Sequence, residues 1–311
     1  MYELLILARG GVLLTVRALT AGWSRRRLAG CLRREGWQRI CRGAWAVPGK
    51  EVDWRVRAQA LQLLRPELVC SHRTAALLHR IETLEPPGHP AGAELLDFTA
   101  PWPAKASHDE RIRVHTTVRP AERDRVLRRG LWTTAPARTV ADLIRGCRGR
   151  EEAVVVADSA LARRAVAGVR REPLVHREEL ATALSARHPG ARRARAWLRL
   201  AEPASGSPAE TVARLRMADA GLFPEPQPAL RTARGHVVHP DFLFRAAGLA
   251  VEIEGYAFHG TRRAHERDIA RFNALQSCPE IRRVLRFTAR EVFTHPDRMT
   301  ATIREALAVE R

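Results

Sequence analysis

Two neighbouring stretches towards the C-terminal end of the chain alternate apolar and polar residues. The first runs from Val237 to Phe244 and the second from Leu249 to Ile253, with residues 246–248 between them. A period of two is typical of β-strands, and a short connection of small residues favours a hairpin. The pattern therefore predicts two antiparallel strands in this region.

Acidic residues lie on one face of both predicted strands. Side chains on a strand point to opposite faces in turn, so Glu252 shares a face with Glu254, and His239 with Asp241. If the acidic faces pair, three carboxylates converge, and His259 follows shortly after them. Clustered carboxylates repel one another and lose hydration, and their usual partner is a hard divalent cation such as Mg²⁺ or Mn²⁺. The alternative is an acidic face that is simply solvated.

Helical and strand periodicities follow one another in mixed order along the chain. We therefore predict an α+β or α/β protein in three segments: a winged helix-turn-helix over residues 1–50, an α/β domain over 51–200, and a third domain over 205–311. A stretch rich in Pro and Ser precedes the third. The predicted helices are Tyr2 to Ala8, Val16 to Thr20, Arg25 to Arg34, Val52 to Leu64, Glu151 to Arg164, Arg177 to Ala186, Arg192 to Arg199, Ala209 to Ala220, Ala264 to Gln276 and Pro296 to Val309, and the further strands are Leu95 to Ala100, Ile112 to Thr117 and a buried Arg283 to Phe287.

The charge balance is strongly basic. Lys and Arg together number 53 against 34 acidic residues, which gives a formal net charge of +19 and favours a polyanionic partner, most simply DNA. The five cysteines are scattered and have no zinc-ligand spacing, and His72 and His79 have no third ligand, so a structural role is favoured for both histidines. A reducing cytoplasm fits the odd cysteine count. No segment is typical of a signal peptide or a membrane span.

The helix from Arg25 to Arg34 carries a cluster of arginines. Ser24 is placed to cap its N-terminus, while Leu28 and Leu32 share one face. Arginines at the start of a recognition helix suit docking in the DNA major groove, and those around it suit contacts to phosphates; the alternative is a solvated basic helix. The candidate DNA-binding residues are Arg25, Arg26, Arg27, Arg33, Arg34 and Arg42.

Motifs in the first two segments resemble antitoxins of the AbiEi type. The N-terminal domain of that family is a winged helix associated with DNA binding and autoregulation. The resemblance implies the same role here and raises a toxin as a further partner. The matching motifs are Gly11 to Thr15, Ala21 to Arg25 and Arg42 to Ala46 in the first segment, and Val69 to His79 and Thr133 to Leu143 in the second.

The last segment resembles the Vsr-like branch of the PD-(D/E)xK endonucleases. The resemblance implies a restriction-endonuclease-like α/β core with a mixed sheet, and DNA cleavage that depends on Mg²⁺ or Mn²⁺. It implies that Asp241 and Glu252 bind the metal, and that Glu210, Glu254 and His259 complete the catalytic set. The matching stretches are Pro208 to Glu210, Pro240-Asp241, Glu252 to Gly255, His259, Asp268 to Arg271 and Val284 to Thr288.

One position departs from the pattern of that family. Glu254 stands where a typical member has lysine, which leaves the role of the lysine to His259 or a nearby arginine. Asp268 and Arg271, three residues apart on a helix, pair with each other or support the site. Two functions remain open. One is a metal-dependent endonuclease in phage defence or DNA repair. The other is a non-enzymatic, antitoxin-like transcriptional autoregulator with a degenerate nuclease domain.

Overall fold

The structure is a computed structural model that describes residues 2–84, 95–104, 109–117, 124–166, 168–185, 188–254 and 262–308, with the backbone only for residues 2 and 262–268. The chain divides into two compact units. The first comprises Met1–Arg80 and Glu85–Asp142, and the second Ile81–Leu84 and Leu143–Arg311. Residues 143–200, which we expected in a middle domain, thus belong to the second unit.

Helices and strands are mixed both in chain order and in sheet pairing. The chain therefore has the α+β class that its periodicities predict. Within the described ranges, no helix combines the length and the apolar character needed to cross a membrane.

The first fifty residues fold around a small antiparallel sheet. Ser24 caps the arginine-bearing helix as expected, since its Oγ accepts a hydrogen bond of 3.2 Å from the Arg27 N–H. Leu28 and Leu32 are buried against Trp37. The first strand has three consecutive buried residues, so it lacks the alternation that would have predicted it. The elements are α1 Tyr2–Leu7, β1 Val12–Leu14, α2 Thr15–Thr20, α3 Arg25–Arg34, β2 Gln38–Cys41 and β3 Ala44–Ala46, with the sheet order β1-β3-β2.

A mixed sheet and its helices make up the rest of the first unit. Ser71 stands at the N-cap of a helix but its side chain makes no capping bond; its Oγ lies 3.0 Å from Nδ1 of His72. Nε2 of His79 lies 2.8 Å from the main-chain oxygen of Thr134, and His72 stacks on His115, so the two histidines are engaged separately. The elements are α4 Trp54–Leu64, β4 Val69–Cys70, α5 His72–His79, β5 Leu96–Pro101, β6 Ile112–Thr117, β7 Arg125–Arg128 and β8 Leu131–Thr134, with the sheet order β6-β5-β4-β8-β7. The next helix, α6 Pro136–Gly146, contains the division between the two units after Asp142.

The second unit contains the predicted hairpin within a mixed sheet. The hairpin strands are antiparallel, and the second pairs in parallel with the strand that begins at Arg283. The elements are α7 Arg150–Leu161, β9 Arg164–Val166, β10 Val169–Arg171, α8 Arg177–Ala183, α9 Ala191–Leu198, α10 Pro208–Asp219, β11 Glu225–Pro226, β12 Leu230–Arg231, β13 Val237–Val238, β14 Phe242–Phe244, β15 Leu249–Glu254, α11 Arg262–Gln276, β16 Arg283–Thr288, α12 Ala289–Thr294 and α13 Pro296–Ala308, with the main sheet in the order β11-β14-β15-β16.

Three details of this unit differ from the sequence prediction. The first hairpin strand is split, because β13 pairs with β12 in a separate sheet and β14 alone pairs with β15. The strand β16 is not buried: Phe287 faces the core, but Arg283 and Arg286 are exposed, since β16 ends the order of described strands in its sheet. On α11, Leu275 is buried while Ile269 is 48% exposed, so the inner face is narrower than expected.

The core of this unit lies between the hairpin and three helices. Phe242 and Val251 on the sheet pack with Val212 of α10, Val292 of α12 and Ile303 of α13. Burying such side chains stabilises a fold by about 1.5 to 3 kcal/mol each. This packing holds the first turn of α10 beside the hairpin, and the candidate site lies there.

Candidate functional site

Asp241 and Glu252 meet across the hairpin. Phe242 pairs with Val251 in the antiparallel register, so Asp241, which precedes Phe242, lies opposite Glu252, which follows Val251. The Asp241 N–H donates to Oε1 of Glu252 at 2.9 Å, and the Ile253 N–H donates to Oδ2 of Asp241 at 2.7 Å. The two residues are only 4% and 7% exposed. Each carboxylate thus satisfies a main-chain donor of the opposite strand, which fixes its position.

Glu210 reaches the same place from the first turn of α10. The helix begins at Pro208, where a missing N–H is harmless, and Ser207 Oγ accepts from the Glu210 N–H at 3.2 Å. The Glu210 carboxylate turns back to accept the Gly206 N–H at 2.7 Å and is buried. A conventional helix cap therefore places the third acidic side chain.

Asp158 on α7 holds this turn of α10 from within the unit. It is fully buried, and its carboxylate accepts the Thr211 hydroxyl at 2.8 Å, the Arg214 guanidinium at 3.1 Å and the Glu202 N–H at 2.6 Å. Burial raises the pKa of Asp158 to about 6 in spite of these donors. The residue supports the position of Glu210 without facing the hairpin carboxylates.

Gln227 links Glu210 to Asp241, and sequence reasoning did not single it out. Its Nε2 lies 3.0 Å from Oε2 of Glu210 and 3.0 Å from Oδ1 of Asp241, and its main-chain N–H donates to the Asp241 carbonyl. Its φ of +47° is unusual for a residue with a side chain and indicates local strain. The one available signal is a lone amide between Pro226 and Pro228 in an extended stretch.

Arg271 of α11 bridges the two hairpin carboxylates. Its Nη2 lies 3.2 Å from Oδ1 of Asp241, 3.0 Å from Oε2 of Glu252 and 3.1 Å from the His239 carbonyl oxygen. Arg271 thus contacts both carboxylates of the candidate site. The side chain of Asp268 and the whole of His259 lie outside the described residues.

Glu254 does not join the buried carboxylates. It shares a face with Glu252, but lies two residues, or about 6.6 Å, further along the strand. Its carboxylate is exposed and pairs with Arg286 at 2.5 Å. In the part of the chain that the structure describes, no three His, Cys, Asp or Glu side chains are grouped closely enough to hold one metal ion. The expected convergence of Asp241, Glu252 and Glu254 is thus reduced to Asp241 and Glu252, with Glu210 joined to Asp241 through Gln227.

The buried carboxylates resist ionisation. Burial, and then the negative charge of Asp241, raise the pKa of Glu252 to about 7. Burial and the same neighbour also raise the pKa of Glu210. Burial lowers the pKa of the Arg271 guanidinium, but the charges of Glu252 and Asp241 outweigh it and raise that pKa. Burial thus disfavours the charged form of both glutamates, and a neighbouring positive charge favours it.

The chain has few similarities to known proteins. No family model matches the chain, and no curated protein matches it. Among solved structures, the chain is similar to the RV2827C protein from Mycobacterium tuberculosis, with 19% identity and a TM-score of 0.43 over 75% of this chain and 85% of that one. A similarity this distant does not extend to function.

The candidate DNA-binding arginines of the first unit lie at the surface. Arg25, Arg26, Arg33, Arg34 and Arg42 are all exposed. Arg27 is exposed too, stacks on the Trp23 ring at 4.1 Å and pairs with Glu3 at 3.5 Å. The turn between β2 and β3 and the helix α3 thus present positive charge to solvent, which fits either a DNA-binding surface or a solvated basic helix.

Proposed function

We propose that the protein binds DNA and hydrolyses a phosphodiester bond with Mg²⁺ or Mn²⁺ held by Asp241 and Glu252. The observation that carries this proposal is the pair of buried carboxylates, fixed by main-chain donors and linked through Gln227 to Glu210. Several kcal/mol are needed to bury such charges, and a fold retains them most readily where they serve a ligand.

The donor set suits a hard divalent cation. Mg²⁺ is commonly bound by one or two carboxylates, with waters and substrate phosphate oxygens completing its shell. Asp241 and Glu252 both reach the same Arg271 nitrogen, so their nearest oxygens are no further apart than the sum of those two contacts. A bound cation of this kind activates water and stabilises charge developing on a phosphate.

The remaining residues take roles that follow from their positions. Glu210 and Gln227 hold Asp241 in place from the α10 side. Glu254 is exposed and paired with Arg286, so it has no part in holding the metal. His259 keeps the role in proton transfer that the family resemblance implies.

Two features of the fold favour a Vsr-like domain and a winged helix. The mixed sheet β11-β14-β15-β16 carries the acidic pair on its central hairpin. In the first unit, α3 precedes a β-hairpin, and its exposed arginines give that helix a basic surface. We propose that the first unit grips DNA and the second cleaves it.

The test is cleavage of supercoiled plasmid in Mg²⁺ or Mn²⁺. The wild type is expected to nick or linearise the plasmid, and Asp241→Asn and Glu252→Gln to abolish cleavage. Glu225→Gln is the matched control, because Glu225 is an exposed carboxylate on the same sheet, paired with Arg245. Cleavage that persists in both site variants, or that is lost equally in the control, refutes the assignment.

A second candidate function is an antitoxin-like repressor without catalysis. It is favoured by Arg271, which already neutralises part of the acidic pair, and by Glu254 at the position of the usual lysine. This function predicts tight binding to the promoter of its own gene, unchanged in Glu252→Gln. It also predicts no uptake of Mn²⁺ in calorimetry.

A further inference from the structure

One nitrogen of Arg271, Nη2, has more oxygen neighbours than it has hydrogens to donate. Nη2 of an arginine carries two hydrogens, so it directs at most two good hydrogen bonds. Here it has three oxygen neighbours at 3.0 to 3.2 Å: Glu252 Oε2, the His239 carbonyl oxygen and Asp241 Oδ1. Two of these belong to carboxylates. Such a shell is an environment for a compact cation.

We propose that these three oxygens are the metal site, and that Arg271 occupies it as an internal counterion until a divalent cation displaces the guanidinium. This inference rests on the proposed function, and adds the His239 carbonyl to the ligands. It makes Arg271 and the metal mutually exclusive at one position.

The ligands are fixed, whereas the arginine has room to move. The Asp241 and Glu252 side chains are only 6% and 9% exposed, and each is tied to a main-chain N–H of the opposite strand. The Arg271 side chain is 51% exposed. Since solvent is open to half of it, the guanidinium can leave without disturbing the hairpin.

Charge and size favour the exchange. A divalent ion brings twice the charge of a guanidinium to two carboxylates, and Mg²⁺ binds oxygen at about 2.1 Å rather than about 3 Å. The stronger attraction at the shorter distance offsets the loss of the arginine contacts. In the absence of metal, the arginine keeps two buried carboxylates from standing unpaired.

The inference is tested by Mn²⁺ binding to the full chain, measured by isothermal titration calorimetry at neutral pH. Arg271→Gln is expected to bind Mn²⁺ roughly tenfold more tightly than the wild type, since a competing cation is removed. The matched control is Arg286→Gln, which also removes one arginine charge but at exposed Glu254. Its affinity is expected to change much less. Glu252→Gln is expected to abolish binding.

A crystal soaked in MnCl₂ gives a second, independent measurement. The manganese peak is expected within coordination distance of Asp241, Glu252 and the His239 carbonyl oxygen, with the Arg271 side chain turned away. Thermal unfolding without metal verifies that Arg271→Gln is folded, and Arg271→Ala replaces it if it is not.

The outcomes separate this inference from the proposed function. If the wild type binds Mn²⁺ through Glu252 but Arg271→Gln binds equally or more weakly, the arginine is a supporting residue and the competition is disproved, while the proposed function stands. If manganese and Arg271 are seen bound together at the site, the competition also fails. If no variant binds Mn²⁺, the proposed metal-dependent function fails and the competition with it.

Discussion

Glu252→Gln should make the second unit less sensitive to rising pH. The raised pKa of Glu252, about 7 against 4.5 for a free side chain, means that folding favours its protonated form. Its contribution to stability is therefore complete below pH 4.5 and is lost as the pH rises through 7. A difference of one pH unit between the folded and unfolded pKa corresponds to about 1.36 kcal/mol, so ionisation lowers the free energy of unfolding by about 3 kcal/mol. Glutamine has the same shape and does not ionise.

The comparison of the two proteins isolates this effect. A glutamine Nε2 facing Arg271 destabilises the variant by an amount that does not vary with pH, because the arginine stays charged throughout. The difference in unfolding free energy between wild type and Glu252→Gln should thus change by about 3 kcal/mol between pH 4 and pH 8, to the disadvantage of the wild type.

Hydrogen exchange of the β15 amides in metal-free buffer measures this difference within the second unit. Comparing both proteins at each pH cancels the intrinsic exchange rate, and about 3 kcal/mol corresponds to roughly a 100-fold change in protection. Glu225→Gln is the control. Arg245 lowers the pKa of Glu225, so the ionisation of Glu225 does not reduce the stability of the wild type between pH 4 and pH 8. If the unfolding free energies of wild type and Glu252→Gln change with pH in parallel, burial does not raise the pKa of Glu252.

Replacing Gln227 by leucine removes the donor shared by Glu210 and Asp241. It should lower the free energy of unfolding by about 1 to 3 kcal/mol in chemical denaturation. Gln276→Leu, at an exposed position, is the control, and an equal effect there would contradict the role of Gln227 in linking the two carboxylates. Asp158→Ala leaves buried donors without their acceptor and should cost about 3 to 5 kcal/mol, so a loss below about 1 kcal/mol refutes its supporting role. Arg26→Gln with Arg33→Gln should weaken duplex DNA binding and reduce its log–log salt slope by about 1 per lost phosphate contact. The single variant Arg192→Gln, outside the first unit, removes one charge rather than two, so an effect half as large as that of the double variant would indicate general attraction by net charge.

Local patterns predicted the acidic pair because the hairpin that holds it is local. Asp241 and Glu252 are eleven residues apart, and alternation with a short connection is enough to set them level. Glu210 was singled out through the resemblance of its helix to the first helix of the Vsr-like nucleases, and its position is set locally by the cap at Ser207 and Pro208. In each case the position depends on neighbours within a few residues.

The sequence indicated contacts between distant segments only loosely: it left Arg271 either paired with Asp268 or supporting the site, and it did not single out Gln227. Gln227 meets Glu210 across 17 residues and Arg271 meets Asp241 across 30, and both distances depend on how α10 and α11 pack on the sheet. The same limit explains Glu254. Its place on the strand was right, but the arginine that draws its carboxylate away lies on β16, which pairs with β15 only in the folded chain.

Asp241 has two roles, and they can be separated chemically. Its Oδ2 accepts the Ile253 N–H and so helps to hold β14 against β15, a structural role that any acceptor of the same shape can fill. Its negative charge attracts Arg271 and raises the pKa of Glu252. The repulsion between the two carboxylates is unfavourable, and holding the hairpin together does not require it. Asparagine keeps the acceptor and removes the charge, whereas alanine removes both. If the charge is present for a cation, Asp241→Asn should lose Mn²⁺ but keep more of the protection of the β15 amides than Asp241→Ala, which loses both; its Nδ2 then faces Gln227 and Arg271, so part of the protection is lost. If Asp241→Asn keeps Mn²⁺ binding, the carboxylate serves only the hairpin.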